Sequence, residues 1–336
     1  VPDDATNELP TTMRAAQVHA LTGIDGIRLD DIAVPSPGAG EVLIRVENVG
    51  LSLADLIVAQ GRYQSIPDLP FTIGMDLAGV VAAVGPGVRR TAVGDRVAAT
   101  LHYGAAAEYA VAPETMTFPL PASTELAAAA AVPVNYLTAH FALHVRAQLR
   151  AGETVLVHGA AGGVGSAATQ VARSLGARTI AVVSSDEKAR FAEAHGADTT
   201  VRVDGFKDAV LEATDGRGVD VVVDVVGEAV ILDSLRVLAP FGRHLVLGFA
   251  QGEPPSVKVN RLLLRNIDVR GVGWTGYVEA DPENAWRQWD ELYPMLESGG
   301  IAPAVGARYP LERIADALAE IQGRTSLGKI VLDVRG

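Results

Sequence analysis

Between Met13 and about Val111 the apolar residues come in short runs, Val42 to Val49, Leu77 to Val84 and Arg96 to Thr100, separated by glycine and proline turns such as Pro35-Ser36-Pro37-Gly38. Runs of this length with such punctuation predict a compact, mostly β domain. Near Pro121 the texture changes. Ser123 can cap a helix running through Glu125 and the alanines, Pro133 interrupts it, and a second helix is expected to begin near Asn135 or Thr138. From Glu153 onward apolar strands alternate with helical segments: Thr154 to His158, Gly163 to Leu175, Thr179 to Val183, Glu187 to His195, Val219 to Val225, Ala229 to Leu238 and Arg243 to Gly248. That alternation predicts βαβ units around a parallel sheet, and Val/Ile/Leu-rich strands such as Val219-Asp220-Val221-Val222-Val223 suit a sheet covered on both faces. Its last strand is placed at Ile267 to Val272. Two amphipathic helices, Pro282 to Glu297 and Leu311 to Gln322, and a final strand, Lys329 to Val334, follow. Trp286 and Trp289 share one helical face with Leu292, Tyr293 and Leu296, the spacing of a core-facing stripe.

The expected organisation is an α/β chain in three parts: a loose, acidic arm over residues 1–12, a mostly β domain from 13–136 and 274–336, and a doubly wound parallel-sheet domain over 137–273. The tail joins the β domain because a strand arriving after the sheet has ended needs a partner elsewhere. With 336 residues the chain is long enough for two domains at about 150 residues each.

Lys and Arg number 28 against 40 Asp and Glu, a formal charge of −12. Without a basic cluster this argues against a nucleic-acid partner. Cysteine is absent, which removes disulfides, thiolate metal sites and a cysteine nucleophile together. The arm lacks the basic and apolar segments of a secretory signal, and no apolar run approaches the roughly 18 residues of a membrane span, so the expectation is a cytoplasmic protein away from membranes. His140 and His144 form the one helical histidine pair, and no neighbouring carboxylate in the sequence completes it as a metal site.

His158-Gly159-Ala160-Ala161-Gly162-Gly163-Val164-Gly165 follows an apolar strand and opens a helix. In that context the glycines bring the backbone close to a pyrophosphate, whose charge faces the helix N-terminus; Ala161, Gly162, Gly163 and Val164 are the contacts expected. Ala160 replaces the first glycine of G-x-G-x-x-G. The next strand ends at Ser184, where an NAD site places a carboxylate for the ribose 2′-hydroxyl. A hydroxyl there, with Lys188 four residues on, suits a 2′-phosphate and therefore NADPH. Asp186 and Glu187 run against this unless they point to solvent from the first helical turn.

The stretch GMDLAGVVAAVGPGVRRTAVGDRV, Gly74 to Val97, together with VPVNYLTAHFAL, VLVHGAAGGVG and SLGKIVL, resembles the medium-chain dehydrogenase/reductase superfamily, specifically its zinc-independent NADPH:quinone oxidoreductase branch. The resemblance runs from Met13 to Val334. It implies a GroES-like catalytic domain and a Rossmann domain. Zinc-dependent members hold their catalytic ion with Cys and His; here Met75 stands at the histidine position and Asp76 follows, and the four-cysteine lobe after Gly94-Asp95-Arg96-Val97 is missing. No metal is therefore expected. The resemblance further implies Tyr63 as a donor to the substrate oxygen, Asp55 orienting its loop and Ser52, in place of an Asn, near the ribose or nicotinamide. Thr138, Leu247, Gly248 and Phe249 carry over as nicotinamide contacts, with Asn135 beside them and Arg324 as a phosphate ligand. The activity implied is NADPH-dependent hydride transfer to quinones or α,β-unsaturated carbonyl compounds. Two alternatives stay open, an enoyl-thioester reductase and a low-turnover, crystallin-like NADPH-binding protein. Pairing of two Ile267 to Val272 edge strands predicts a homodimer.

Overall fold

The computed structural model describes residues 9–250 and 254–335. Of the expected arm, residues 1–8 lie outside the described residues, while Thr12 already belongs to the first strand, Thr12–Val18.

Two sheets organise the molecule. The first has seven strands, ordered Val305–Pro310, Lys329–Asp333, Glu41–Leu51, Asp76–Val84, Arg96–Thr100 and Thr117–Pro119, with Tyr109–Pro113 also pairing with Glu41–Leu51. The long strand Glu41–Leu51 is central: it takes the chain's last strand antiparallel, Ile330 opposite Leu51 and Leu332 opposite Val49, and Asp76–Val84 on its other side. Thus residues from both ends of the chain share one β core, built on Val42, Ile44, Leu51, Leu77, Ile330 and Leu332, all essentially inaccessible to solvent. A small sheet of Ile27–Ala33, Thr12–Val18 and Phe71–Thr72 flanks it.

The second sheet has six parallel strands in the order Thr199–Arg202, Arg178–Val183, Thr154–His158, Val219–Asp224, Leu238–Val246, Asp268–Gly271. This is the doubly wound order 3-2-1-4-5-6, which opens a crevice above the strand ends where the order reverses. Helices cover both faces. Glu283–Glu297 packs beside the helix Pro133–His140, and its Trp289, Leu292 and Leu296 join the hydrophobic cluster on one side of the sheet; the indole N–H groups of Trp289 and Trp286 donate to Pro119 O and Glu114 O, each at 3.2 Å. Buried Trp residues need such acceptors.

Several boundaries differ from expectation. Pro133 does not interrupt a helix; it opens one, Pro133–His140, at the first position, where the missing N–H costs nothing. The alanine helix is only Leu126–Ala129, with Glu125 rather than Ser123 preceding it. Leu53–Ala59 is a helix inside the β-rich region. Thr199–Arg202 and the helix Phe206–Ala213 are further elements of the parallel domain absent from the expected alternation.

Candidate active site

The chain crosses from strand to helix through a turn with little room for side chains. Gly159 takes φ +63°, and a Cβ on Gly165 would lie 2.1 Å from the Gly159 carbonyl oxygen, so only glycine lets the helix Gly163–Ser174 seat against its own strand. Gly162 caps that helix without a side-chain hydrogen bond, which leaves the first-turn N–H groups facing the crevice. A Cβ on Gly163 would meet the Asn135 amide nitrogen at 2.7 Å. Asn135 is buried and donates to Ala131 O at 3.2 Å, so it buttresses the turn from below. Thr138, one turn on, is only partly buried.

The other domain closes over this turn. Gly328 forms an isolated bridge with Gly162, and its N–H donates to Ala161 O at 2.8 Å. Just before it, Arg324 sits in the left-handed region (φ +58°) and donates to Ala250 O at 2.7 Å. The Lys188 ammonium reaches the Arg324 carbonyl at 2.9 Å. Ser184, exposed at the end of Arg178–Val183, lies four residues before Lys188. The Lys188 side chain is thereby joined to the backbone of the chain's tail, while the Arg324 guanidinium lies on the Ala250 carbonyl beyond the fifth strand. Asp186 is turned away onto Arg202, and Glu187 is exposed. Leu247, Gly248 and Phe249 leave the fifth strand beside them, held by Leu247 N–H to Asp224 O (2.9 Å) and Ala250 N–H to Val225 O (3.0 Å). The fit to a dinucleotide rests on side-chain-free backbone at Gly162 and Gly163, open first-turn donors, and Lys188 with the Ser184 hydroxyl at the second strand's end.

Across the crevice, Ser52 precedes the helix Leu53–Ala59, and Asp55 reaches back to accept from both the Ser52 N–H (2.7 Å) and its hydroxyl (2.8 Å). This is one half of a capping box. Asp55 is 1% exposed, and its Oδ1 has no partner. Tyr63 is half-buried against the same core; burial, with the Asp55 charge nearby, raises its hydroxyl above the usual tyrosine range. Met75 is buried in the β core, packing rather than presenting a ligand to the crevice.

One feature of the site escaped the sequence reading. Lys329, 2% exposed, bonds Asp76, 0% exposed, at 2.6 Å, and Asp76 also accepts the Val134 N–H at 3.0 Å. Burial pushes the Asp76 carboxyl up, and Lys329 opposes that shift. The available signal was a lysine at the head of the apolar run Lys329-Ile330-Val331-Leu332.

The histidine pair is corrected in one respect: a carboxylate does lie beside it. Glu291, on the helix Glu283–Glu297, stands 2.9 Å from His140 Nε2 and 3.6 Å from His144 Nε2. The surrounding bonds nevertheless disfavour an ion. Trp274 Nε1 can only donate, and it fixes the Gln288 oxygen at 2.7 Å, so the Gln288 amide nitrogen donates to Leu137 O and to His140 Nδ1. His140 Nε2 then carries the ring proton and donates to Glu291, whereas a ligating histidine needs that nitrogen free and its other N–H outward.

Residues 38–122 match the alcohol dehydrogenase GroES-like domain family, and residues 163–296 match the zinc-binding dehydrogenase family. Quinone oxidoreductase-like protein 2 of Rattus norvegicus is 38% identical over 312 residues, 92% of this chain and 89% of that protein. The chain belongs to the medium-chain dehydrogenase/reductase superfamily, in its zinc-independent quinone oxidoreductase-like branch. As a member of this superfamily it is an oxidoreductase. A mycobacterial protein solved in complex with NADPH superposes with a TM-score of 0.88 at 35% identity, covering 95% of this chain and 99% of that one. The quinone oxidoreductase of Thermus thermophilus, also solved with NADPH, gives 0.84 at 33% identity over 96% of this chain and 100% of that one. The GroES-like domain of this dehydrogenase/reductase is the sheet that gathers both chain ends, and its Rossmann domain is the parallel sheet with the glycine turn.

Proposed function

We propose that this protein is an NADPH-dependent reductase that transfers hydride to quinones or α,β-unsaturated carbonyl compounds without zinc. The observation that carries the reading is the exposed Ser184 at the end of the second strand, where an NAD site would hold a carboxylate, with Lys188 four residues on and bonded to the Arg324 carbonyl. Bound there, NADPH supplies the hydride. The chain's own part is to hold and orient. Gly162, Gly163 and the open helix N-terminus take the pyrophosphate, Lys188, Arg324 and Ser184 take the 2′-phosphate, and Thr138 with Leu247-Gly248-Phe249 flanks the nicotinamide.

The acceptor class follows from the residues across the crevice. Met75 is packed in the core and cysteine is absent, so the ligand set that would polarise a simple carbonyl is replaced by apolar and neutral groups. A conjugated acceptor suits this wall, because hydride adds to carbon and the charge moves to a remote oxygen that hydrogen-bond donors stabilise. In this reading Tyr63 is the donor to that oxygen, joined by Ser52 when its hydroxyl is not held by Asp55. Homodimerisation through the Asp268–Gly271 edge belongs to the same reading.

Cofactor choice is testable. Charge-assisted bonds to a phosphate are worth about 1.5–3 kcal/mol each, so Lys188→Ala is expected to raise the NADPH KM roughly 10- to 100-fold with little change for NADH. Ser184→Asp is expected to shift preference toward NADH. Steady-state kinetics with both cofactors decide it; equal losses for both in Lys188→Ala would make Lys188 a structural lysine.

A further inference from the structure

Three ionisable side chains, Asp55, Asp76 and Lys329, are each no more than 2% exposed and sit together where the two domains meet. Lys329 follows Gly328, which is bonded to Ala161 of the glycine turn; Asp76 is bonded to the N–H of Val134, the neighbour of the Asn135 that buttresses Gly163. The cluster therefore lies directly against the cofactor crevice. Two carboxylates facing one ammonium leave one negative charge without a counter-ion. Asp76 takes the ammonium at 2.6 Å. Asp55 has only the neutral donors of Ser52, both on Oδ2, and its buried Oδ1 has none. An unpartnered carbonyl oxygen of an acid is far cheaper to bury than half of a carboxylate charge. Among the described residues the remaining surroundings offer nothing better: Tyr63 is the other titratable group that bears on Asp55, and the helix Ile314–Gln322 and the turn Gly23–Gly26 bring Ile314, Leu318 and Ile24 to the same core.

We propose that Asp55 stores the proton that completes the reduction and passes it through the Ser52 hydroxyl to the oxygen of the reduced acceptor. The proposal rests on the reductase reading above and deepens it, making Asp55 a positioning and proton-holding residue that acts through Ser52. Hydride addition to the acceptor carbon leaves the acceptor oxygen anionic. When Asp55 holds the proton on Oδ2, the 2.8 Å contact runs from the Asp55 O–H to Ser52 Oγ, which frees the Ser52 O–H for the acceptor; the Ser52 O–H bond then breaks as its proton goes to that oxygen, and the Asp55 O–H bond breaks as the stored proton crosses to Ser52 Oγ. Asp55 is left as a carboxylate and regains a proton from solvent before the next cycle. Only protons move along this path; both electrons of the reduction come with the hydride. Burial, opposed by Lys329, pushes the Asp55 carboxyl up to about 6, a range in which it can be both acid and base.

Two measurements on the full chain test this. In infrared difference spectra between wild type and Asp55→Asn, a protonated-carboxyl band is expected to grow as pH is lowered through about 6; its absence until the ordinary carboxylate range would overturn proton storage. In kinetics with a quinone, wild-type kcat is expected to fall as pH rises through the same point, with Asp55→Asn and Ser52→Ala losing roughly 100-fold in kcat and the pH dependence at unchanged NADPH affinity, read by fluorescence. Asp55→Glu should recover part of the rate. An active reductase in which Asp55→Asn keeps wild-type kcat and pH profile would overturn the delivery step. A titrating band in a protein that reduces no acceptor would overturn the reductase reading, and delivery with it.

Discussion

His158 ends the strand that feeds the glycine turn and is buried beside Ser234, 2.8 Å from its hydroxyl. Burial, opposed by the Asp224 charge, holds its imidazole down to about 4. An unfolded histidine titrates near 6.5. The unfolded chain therefore takes up a proton first as pH falls, and the stability that neutral His158 contributes is complete above about 6.5 and lost on the way down through 4. The full difference is on the order of 3 kcal/mol. Asp55, with its carboxyl raised, acts in the opposite sense: its contribution is present below the usual carboxylate range and is lost as pH rises through about 6. Comparison of variants separates the two. His158→Gln, able to keep a bond to Ser234, is expected to lose less melting temperature between pH 7 and pH 5 than wild type; parallel losses would show that another group governs acid stability. The places of the turn glycines and of Ser184 at a strand end were legible residue by residue, because a strand–turn–helix unit fixes them. The Lys329–Asp76 pair was not, because its partners are 253 positions apart and each alone looks like an ordinary charge.

The strand–turn–helix unit makes two glycines with different duties. A Cβ on Gly162 would have only Gly159 O within reach, at 3.4 Å, an ordinary contact, whereas on Gly165 it would strike the same oxygen at 2.1 Å. Gly165→Ala is accordingly expected to destabilise the fold by about 1–3 kcal/mol, the usual range for overpacking. Gly162→Ala should keep nearly the wild-type melting temperature and, if the proposed cofactor site holds, lose NADPH affinity, because the added methyl would stand between the backbone and the pyrophosphate. Thermal melts and fluorescence titrations of the two variants check this; equal stability losses would contradict the division of labour. Element-level expectations succeeded where pattern is local, as in Thr154–His158 and Arg178–Val183, both apolar and β-branched. They failed at Thr199–Arg202, a short, partly polar strand that exists only because Arg178–Val183 offers it a partner. Pro133 was misjudged because a proline that ends one helix and one that begins the next look alike in sequence.

At the scale of the molecule, the parallel sheet ends in Asp268–Gly271, which among the described residues pairs on one side only. Beside it the short helix Asn260–Arg265 exposes Leu263 and Leu264 by 75% and 76%. An open edge next to exposed leucines favours symmetric pairing of two copies, although Arg270, bonded to Asp268 and to the Arg146 carbonyl, guards part of that edge. Light scattering at micromolar concentration is expected to give twice the chain mass; a monomer would contradict the dimer. The two-sheet architecture was legible because each domain has its own hydrophobic period, and the return of the last strand to the first sheet followed from its need for a partner. The assembly of Lys188 with Arg324 was legible only as separate residues, since it depends on the chain's tail crossing the glycine turn. The measurement that bears most directly on the whole account is NADPH consumption, after dialysis against a strong chelator, with a panel of quinones, enones, enoyl thioesters and saturated aldehydes. Turnover is expected with quinones or enones, unchanged by the chelator and weak with saturated aldehydes. Turnover confined to saturated aldehydes, activity lost on chelation, or no NADPH consumption with any member of the panel would contradict it.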